Sequence, residues 1–259
     1  MNYKIYRAGS WLKRHKKETV AILALGFLFG LPWLIDSPAI VGASATQREL
    51  PIYCVDRDNK AVSLTFDAAW GNEDTQTLIG ILGNYNIKAT FFVVGAWVDK
   101  YPESVKALSD AGHEVMSHSD DHAHFSMLDE TRIIENLNAC NDKIERVTGV
   151  RPTLFRCPYG EYDDHVIRTV NAIGMTAIQW NVDSLDWKGI SAPEISQRVL
   201  GKVVPGSIVL FHNAAENTPA ALPGIIEGLI ADGYSIVPVS EILLTGEYEI
   251  DHTGMQYKP

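Results

Sequence analysis

From about residue 60 onward, short apolar runs alternate with longer stretches in which apolar residues recur every three or four positions. The runs lie at 61–66, 89–94, 114–117, 153–156, 176–182, 207–211 and 234–239. They are rich in Val, Ile, Phe and Thr, and some are apolar on both faces. Such runs predict strands covered on both sides, as in a parallel sheet. The clearest helical pattern spans 129–147, where Ile133, Leu137, Cys140, Ile144 and Val147 fall at steps of four and three. Asp129 and Glu130 suit the positive end of that helix dipole. Gly112, Gly149, Gly174 and Gly233 stand just before predicted strands, where a helix is expected to stop. Seven strands alternating with helices predict βαβ units, in either an open doubly wound sheet or a barrel. No internal repeat or low-complexity segment interrupts them.

A different pattern occupies the N-terminus. Residues 19–35 are seventeen uncharged, mostly apolar positions, at the short end of a membrane span of roughly 17–25 residues. Lys4, Arg7, Lys13, Arg14, Lys16 and Lys17 precede them and Asp36 follows. This polarity predicts a cytoplasmic stub (1–18), a transmembrane or signal-anchor helix (19–35), a spacer (36–59), an extracytoplasmic domain (60–248) and a tail (249–259). The other reading is a signal peptide cleaved after Ala45, which gives a secreted protein.

Composition narrows the function. With 46% hydrophobic and 21% charged residues, the 259-residue chain is globular rather than disordered. Residues 1–18 carry six basic residues and one acid, a net +5; subtracting this from −10 leaves −15 on the remainder. An acidic body argues against a general nucleic-acid partner. Three cysteines (Cys54, Cys140, Cys157) exclude a disulfide-built scaffold.

Polar residues gather just after the predicted strands. Asp67 follows the first, His118 and His122 the third, Arg156 the fourth, Asp183 and Asp186 the fifth, and His212 the sixth. Convergence from five strand ends favours the barrel, whose active face is built there. His118 and His122, at i and i+4, are spaced to chelate one divalent metal from a helical turn. Alone, such a pair is as readily two surface histidines, and His113 and His124 are candidates for bystanders. Asp67 reads as a general base oriented by Arg156, or as a structural ion pair with it. His212, with Asp183 to hold one ring nitrogen, reads as a general acid. Trp187 and Leu210 supply an apolar wall.

Together these residues resemble the polysaccharide deacetylase family, the NodB-homology domain of carbohydrate esterase family 4. Five ordered motifs carry the resemblance: Thr65-Phe66-Asp67-Ala68, His118-Ser119-Asp120-Asp121-His122, Arg156-Cys157-Pro158-Tyr159-Gly160, Asp183-Ser184-Leu185-Asp186-Trp187 and Leu210-Phe211-His212. The resemblance implies a distorted (β/α)7-type barrel and metal-dependent removal of N-acetyl groups from amino sugars. It implies Asp67 as base, His118 and His122 as metal ligands, Arg156 orienting Asp67, and Asp183 tuning the acid His212. The backbone N–H of Tyr159 would hold the oxyanion, and Trp187 and Leu210 would enclose the acetyl methyl. The implied cofactor is a divalent metal, zinc first, with cobalt or manganese as alternatives.

One position departs from the pattern. Ala68 stands where the family has a metal-ligand Asp, so water, Asp120 or Asp121 would have to fill the gap. The stretch 65–76, TFDAAWGNEDTQ, resembles a sporulation-associated subgroup that often lacks the second Asp. The exported topology suits a cell-wall or spore-cortex peptidoglycan substrate. Ala68 also motivates the rival expectation, a weak or inactive glycan-binding protein on the same fold.

Overall fold

The computed structural model describes residues 48–259. Its centre is β2 (Ala61–Ala68), buried at every position. Alternation sorts its two faces. Val62, Leu64, Phe66 and Ala68 join the main apolar core, which includes Leu78 and Leu82 of α1 (Thr75–Asn84). Ser63, Thr65 and Asp67, at the intervening positions, are buried but polar. The chain continues through β3 (Thr90–Val93), α2 (Gly95–Lys100), α3 (Pro102–Asp110) and β4 (Glu114–Ser117).

The long amphipathic pattern becomes α4 (Glu130–Thr148). The Asp129 carboxylate caps it by accepting the Arg132 N–H, and Gly149 ends it at φ +77°. It buries Ile133, Leu137, Cys140 and Ile144. Then come β5 (Leu154–Phe155), α5 (Asp164–Ala172), β6 (Thr176–Ala177), β7 (Val182–Asp183), α6 (Ala192–Leu200), β8 (Ile208–His212) and α7 (Thr218–Ala231). Among the described residues, seven parallel strands form one sheet in the order β6-β5-β4-β3-β2-β8-β7. The short β9 (Ser235–Ile236) pairs with the start of β2. Among the described residues β6 pairs with β5, and β7 with β8, so the sheet is a half-barrel open between β6 and β7.

That opening corrects an expectation. The apolar run 176–182 is not one strand but two, on opposite edges of the sheet. The Ile178 N–H still reaches Phe155 O (2.8 Å), the Gln179 N–H turns to Ile52 O (2.7 Å), and the Asn181 N–H reaches Ile208 O (3.3 Å). The run stays largely buried while its partner changes, and hydropathy registers only the burial. Likewise, the run 234–239 yields only two strand residues before α8 (Val239–Ile242).

The ends of the body differ too. Residues expected as spacer and tail form a three-stranded sheet, in which β11 (Met255–Tyr257) runs parallel to β1 (Cys54–Val55) and antiparallel to β10 (Glu249–Ile250). The 19–35 segment lies outside the described residues, among which no helix is long and apolar enough to cross a membrane.

The join between the small sheet and the large one is tight. The Val55 N–H donates to Gly206 O (3.0 Å), Gly206 sits at φ +83°, and a Cβ there would fall 1.6 Å from Val55 O. Asp129→Ala is expected to cost about 1 kcal/mol. Gly206→Ala should cost more than ~1 kcal/mol, since it meets both a left-handed φ and backbone. Urea unfolding checks both: the midpoint should drop further for Gly206→Ala, with the slope m unchanged for either variant.

Candidate active site

The C-terminal ends of β2, β4, β5, β7 and β8 open into a cleft of about 420 Å³. Asp67, His118, His122, Tyr159, Asp183, Trp187, Leu210 and His212 line it, joined by Trp70, Gly160 and Trp180. Arg156 lies beneath, fully buried.

Asp67 ends β2 on its polar face. Arg156 Nη1 donates to Asp67 Oδ1 (2.8 Å) and to Thr65 Oγ1 (2.8 Å), and Nη2 donates to Gln179 O (3.0 Å). Burial pushes the Asp67 pKa up, but the charge of Arg156, with that of His212 and the Arg156 hydrogen bond, outweighs it and holds the pKa below 3.8. Asp67 is therefore a carboxylate at neutral pH, with Oδ2 not engaged by the guanidinium.

His118 and His122 come together, but not on a helix. Residues 118–122 form a loop with left-handed turns at Ser119 (φ +72°) and His122 (φ +59°), which brings the ring centroids to 5.0 Å. His118 Nδ1 faces Arg156 O at 2.8 Å and must donate to it, leaving the lone pair on Nε2, 3.6 Å from Asp67 Oδ2. Burial lowers both pKa values, that of His122 to about 4 with the help of His118, so both rings are neutral. His122 Nδ1 is buried without a partner.

Two neutral imidazoles are apt donors for a divalent ion, but a catalytic zinc usually has three protein ligands. Ala68 is buried in the apolar core and offers no donor atom. Neither expected substitute is available. Asp120 pairs with Lys143 Nζ (2.6 Å), and Asp121 Oδ1 accepts from Asn136 Nδ2 (2.7 Å). Among the described residues no group of three His, Cys, Asp or Glu could hold a metal. The donor set does not fit the expected ion.

Across the cleft, His212 has a different partner from the one expected. Asp186, not Asp183, meets His212 Nδ1 (2.8 Å) and accepts the His212 backbone N–H (2.8 Å). Thr218 Oγ1 also donates to Asp186 (2.7 Å). Asp183 turns instead to its own loop, accepting the Leu185 N–H (2.8 Å). Spacing could not separate the two, because a left-handed Leu185 (φ +58°) begins the turn that carries Asp186 under His212. Burial lowers the His212 pKa, but the hydrogen bond it donates to Asp186 and the charges of Asp67, Asp186 and Asp183 outweigh it and raise it above 6.5.

Tyr159 sits at φ +60°, and its ring meets His122 (4.5 Å) and stacks on His124 (4.4 Å). Trp187 is 57% exposed at the rim, and Leu210 is a buried part of the lining. Cys157 packs among Phe125, Phe155 and Val166 as a core filler. His113 accepts the Ala89 N–H at 3.2 Å, away from the cleft. The sequence did not single out Trp70, Trp180, Gln179 or Asn213. Trp70 and Asn213 each lie close after a motif residue, which was the available signal.

Comparisons with known proteins agree with one another. A profile of the polysaccharide deacetylase family matches residues 55–178. Protein YlxY of Bacillus subtilis, described as uncharacterized, is 33% identical over 193 residues, covering 74% of this chain and 60% of that protein. The peptidoglycan-N-acetylglucosamine deacetylase of Bacillus cereus is 32% identical over 194 residues, 73% of this chain and 70% of that enzyme. The crystal structure of BA3943, a CE4 family pseudoenzyme from Bacillus anthracis, superposes with a TM-score of 0.72 at 35% identity, over 75% of this chain and 69% of that one.

The partner assignment is testable by NMR titration of the His212 ring. Its pKa should lie above 6.5 in the parent, fall clearly in Asp186→Asn, and fall less in Asp183→Asn. A raised folded-state pKa also fixes the sign of the linkage. The stabilisation from His212 is full below the unfolded value near 6.5 and is lost as pH rises through the folded value. In Asp186→Asn, unfolding midpoints across this window should lose most of that pH dependence.

Proposed function

Because the chain belongs to the polysaccharide deacetylase family, we propose that its cleft holds the N-acetyl amino sugars of peptidoglycan and removes the acetyl group by hydrolysis. One observation carries this reading. A carboxylate kept ionised by Arg156 and an imidazole kept basic by Asp186 line the same cleft. This is an acid/base pair with separated pKa values, as amide hydrolysis requires.

In the reaction, the Asp67 carboxylate takes a proton from the water that attacks the acetyl carbonyl carbon. Arg156 keeps the carboxylate oriented and anionic. Protonated His212 gives its proton to the departing amine, and Asp186 stabilises the imidazolium until then. The Tyr159 backbone N–H is the proposed donor to the oxyanion, and Trp187 and Leu210 exclude water from the methyl side. The proposed location is outside the membrane, on an N-terminal anchor or after its cleavage, with sporulation as the setting.

Ala68 supports a second reading, a glycan-binding protein with little or no turnover, since two imidazoles alone make a poor catalytic metal set.

Acetate release from N-acetylated glycan strands, measured with added Zn²⁺, Co²⁺ or Mn²⁺ and with a chelator, separates the two. Turnover should fall by at least ~10²-fold in Asp67→Asn and in His212→Ala. It should also decline as pH rises through the His212 pKa, which lies above 6.5. Glycan binding without acetate release under any of these conditions would overturn the hydrolase in favour of the second reading. For the metal itself, zinc content should be below one equivalent after passage over a chelating resin. Stoichiometric zinc that is lost in His118→Ala would overturn the misfit of the donor set.

A further inference from the structure

The acid/base apparatus leaves Trp70 unexplained. This indole is 61% exposed at the cleft, although a large aromatic side chain would ordinarily be buried. The backbone beneath it is clamped. Asn213 Nδ2 donates to Trp70 O (2.5 Å) and Gly71 O (3.0 Å), and Trp97 Nε1 donates to Gly71 O (2.6 Å). The Asn213 N–H in turn donates to Asp67 O (3.1 Å). Gly71 sits at φ +54°, and a Cβ there would fall 2.5 Å from Ala214 Cβ. Trp97, only 2% exposed, uses its indole to hold the loop, whereas the indole N–H of Trp70 has no protein acceptor among the described residues. The fold thus fixes the backbone and leaves the side chain in water.

Trp70 also continues a wall. Its ring lies 5.0 Å from His122, which lies 4.5 Å from Tyr159, which stacks on His124 at 4.4 Å and 11°. Trp70, His122 and Tyr159 line the cleft, and His124 backs Tyr159. We propose that Trp70 is a stacking platform for a second sugar ring beside the one held between Asp67 and His212, so that the cleft selects strands of N-acetyl amino sugars over single sugars. This rests on the glycan reading above. A pyranose has an apolar C–H face and a polar rim, and a fixed indole offers a flat apolar face with one N–H donor at its edge. Because the loop is already ordered, binding does not have to immobilise it.

The test is calorimetric binding of tetra-N-acetylchitotetraose and of N-acetylglucosamine to the full-length chain. The tetramer should bind more tightly than the monomer. Trp70→Ala should weaken tetramer binding on the order of tenfold and leave monomer binding unchanged. Trp70→Phe should keep part of the gain, and should lose the part of the tryptophan fluorescence change that the tetramer produces beyond the monomer in the parent, since Trp180 and Trp187 also line the cleft. This second variant gives an answer even if Trp70→Ala misfolds. Unchanged tetramer binding in Trp70→Ala, or an equal loss for monomer and tetramer, overturns the platform while the glycan reading stands. A parent protein that binds neither sugar overturns both.

Discussion

Arg156 places a guanidinium inside the half-barrel with no access to water, and the geometry of the site follows from how that charge is met. Its nitrogens reach Asp67 and Thr65 on β2 and the Gln179 carbonyl, and its plane lies over the ring of Phe92 on β3 (4.2 Å). Its own carbonyl receives His118. One residue therefore fixes the base through its side chain and the first histidine through its backbone. Removing either member of a buried pair of this kind costs about 3–5 kcal/mol, because the remaining charge is stranded. Site geometry and stability are coupled here, so the ion pair would persist in a protein that had lost turnover. The presence of Asp67 and Arg156 is by itself weaker support for hydrolysis than the presence of His212 on Asp186, because the His212 ring is the most exposed member of the two pairs.

The sequence read well where chemistry and burial coincide. The apolar run at 114–117 coincides with β4, the periodic stretch at 129–147 matches α4 to within a residue at each end, and most of the motif residues line one cleft. It read poorly where the decisive event is a change of partner or a local reversal of the backbone. Hydropathy cannot say that residues 176–182 pair with β5 at one end and β8 at the other. Nor can an i, i+4 spacing reveal that His118 and His122 meet through left-handed turns rather than a helix. Asp183 and Asp186 are equivalent by composition, and only the turn at Leu185 decides between them. The strands β10 and β11 are short mixed segments that carry almost no periodic signal.

Backbone strain is distributed unevenly. Of the six non-glycine residues with positive φ among the described residues, five (Ser119, His122, Tyr159, Leu185 and Ala214) lie in loops that follow β4, β5, β7 and β8 at the cleft. Each such conformation costs of order 1–3 kcal/mol and persists only where the surroundings impose it. The helices and strands around the core supply that constraint, and the cleft is where their stability is partly used to hold unfavourable turns. The misfit at Ala68 stands out against this: the loops hold His118 and His122 ready for a ligand while one expected donor is absent.

The break in the sheet has a mechanical consequence. Its two outer strands, β6 and β7, are joined by only four residues, 178–181, with Ile52 paired to Ile178 alongside them. An extended chain spans about 3.3–3.6 Å per residue, so this strip acts as a short inextensible leash across the gap. At this point the separation of the two edges cannot exceed the reach of that strip. Over that stretch, how far the sheet can spread is limited by covalent chain length rather than by the strength of any contact.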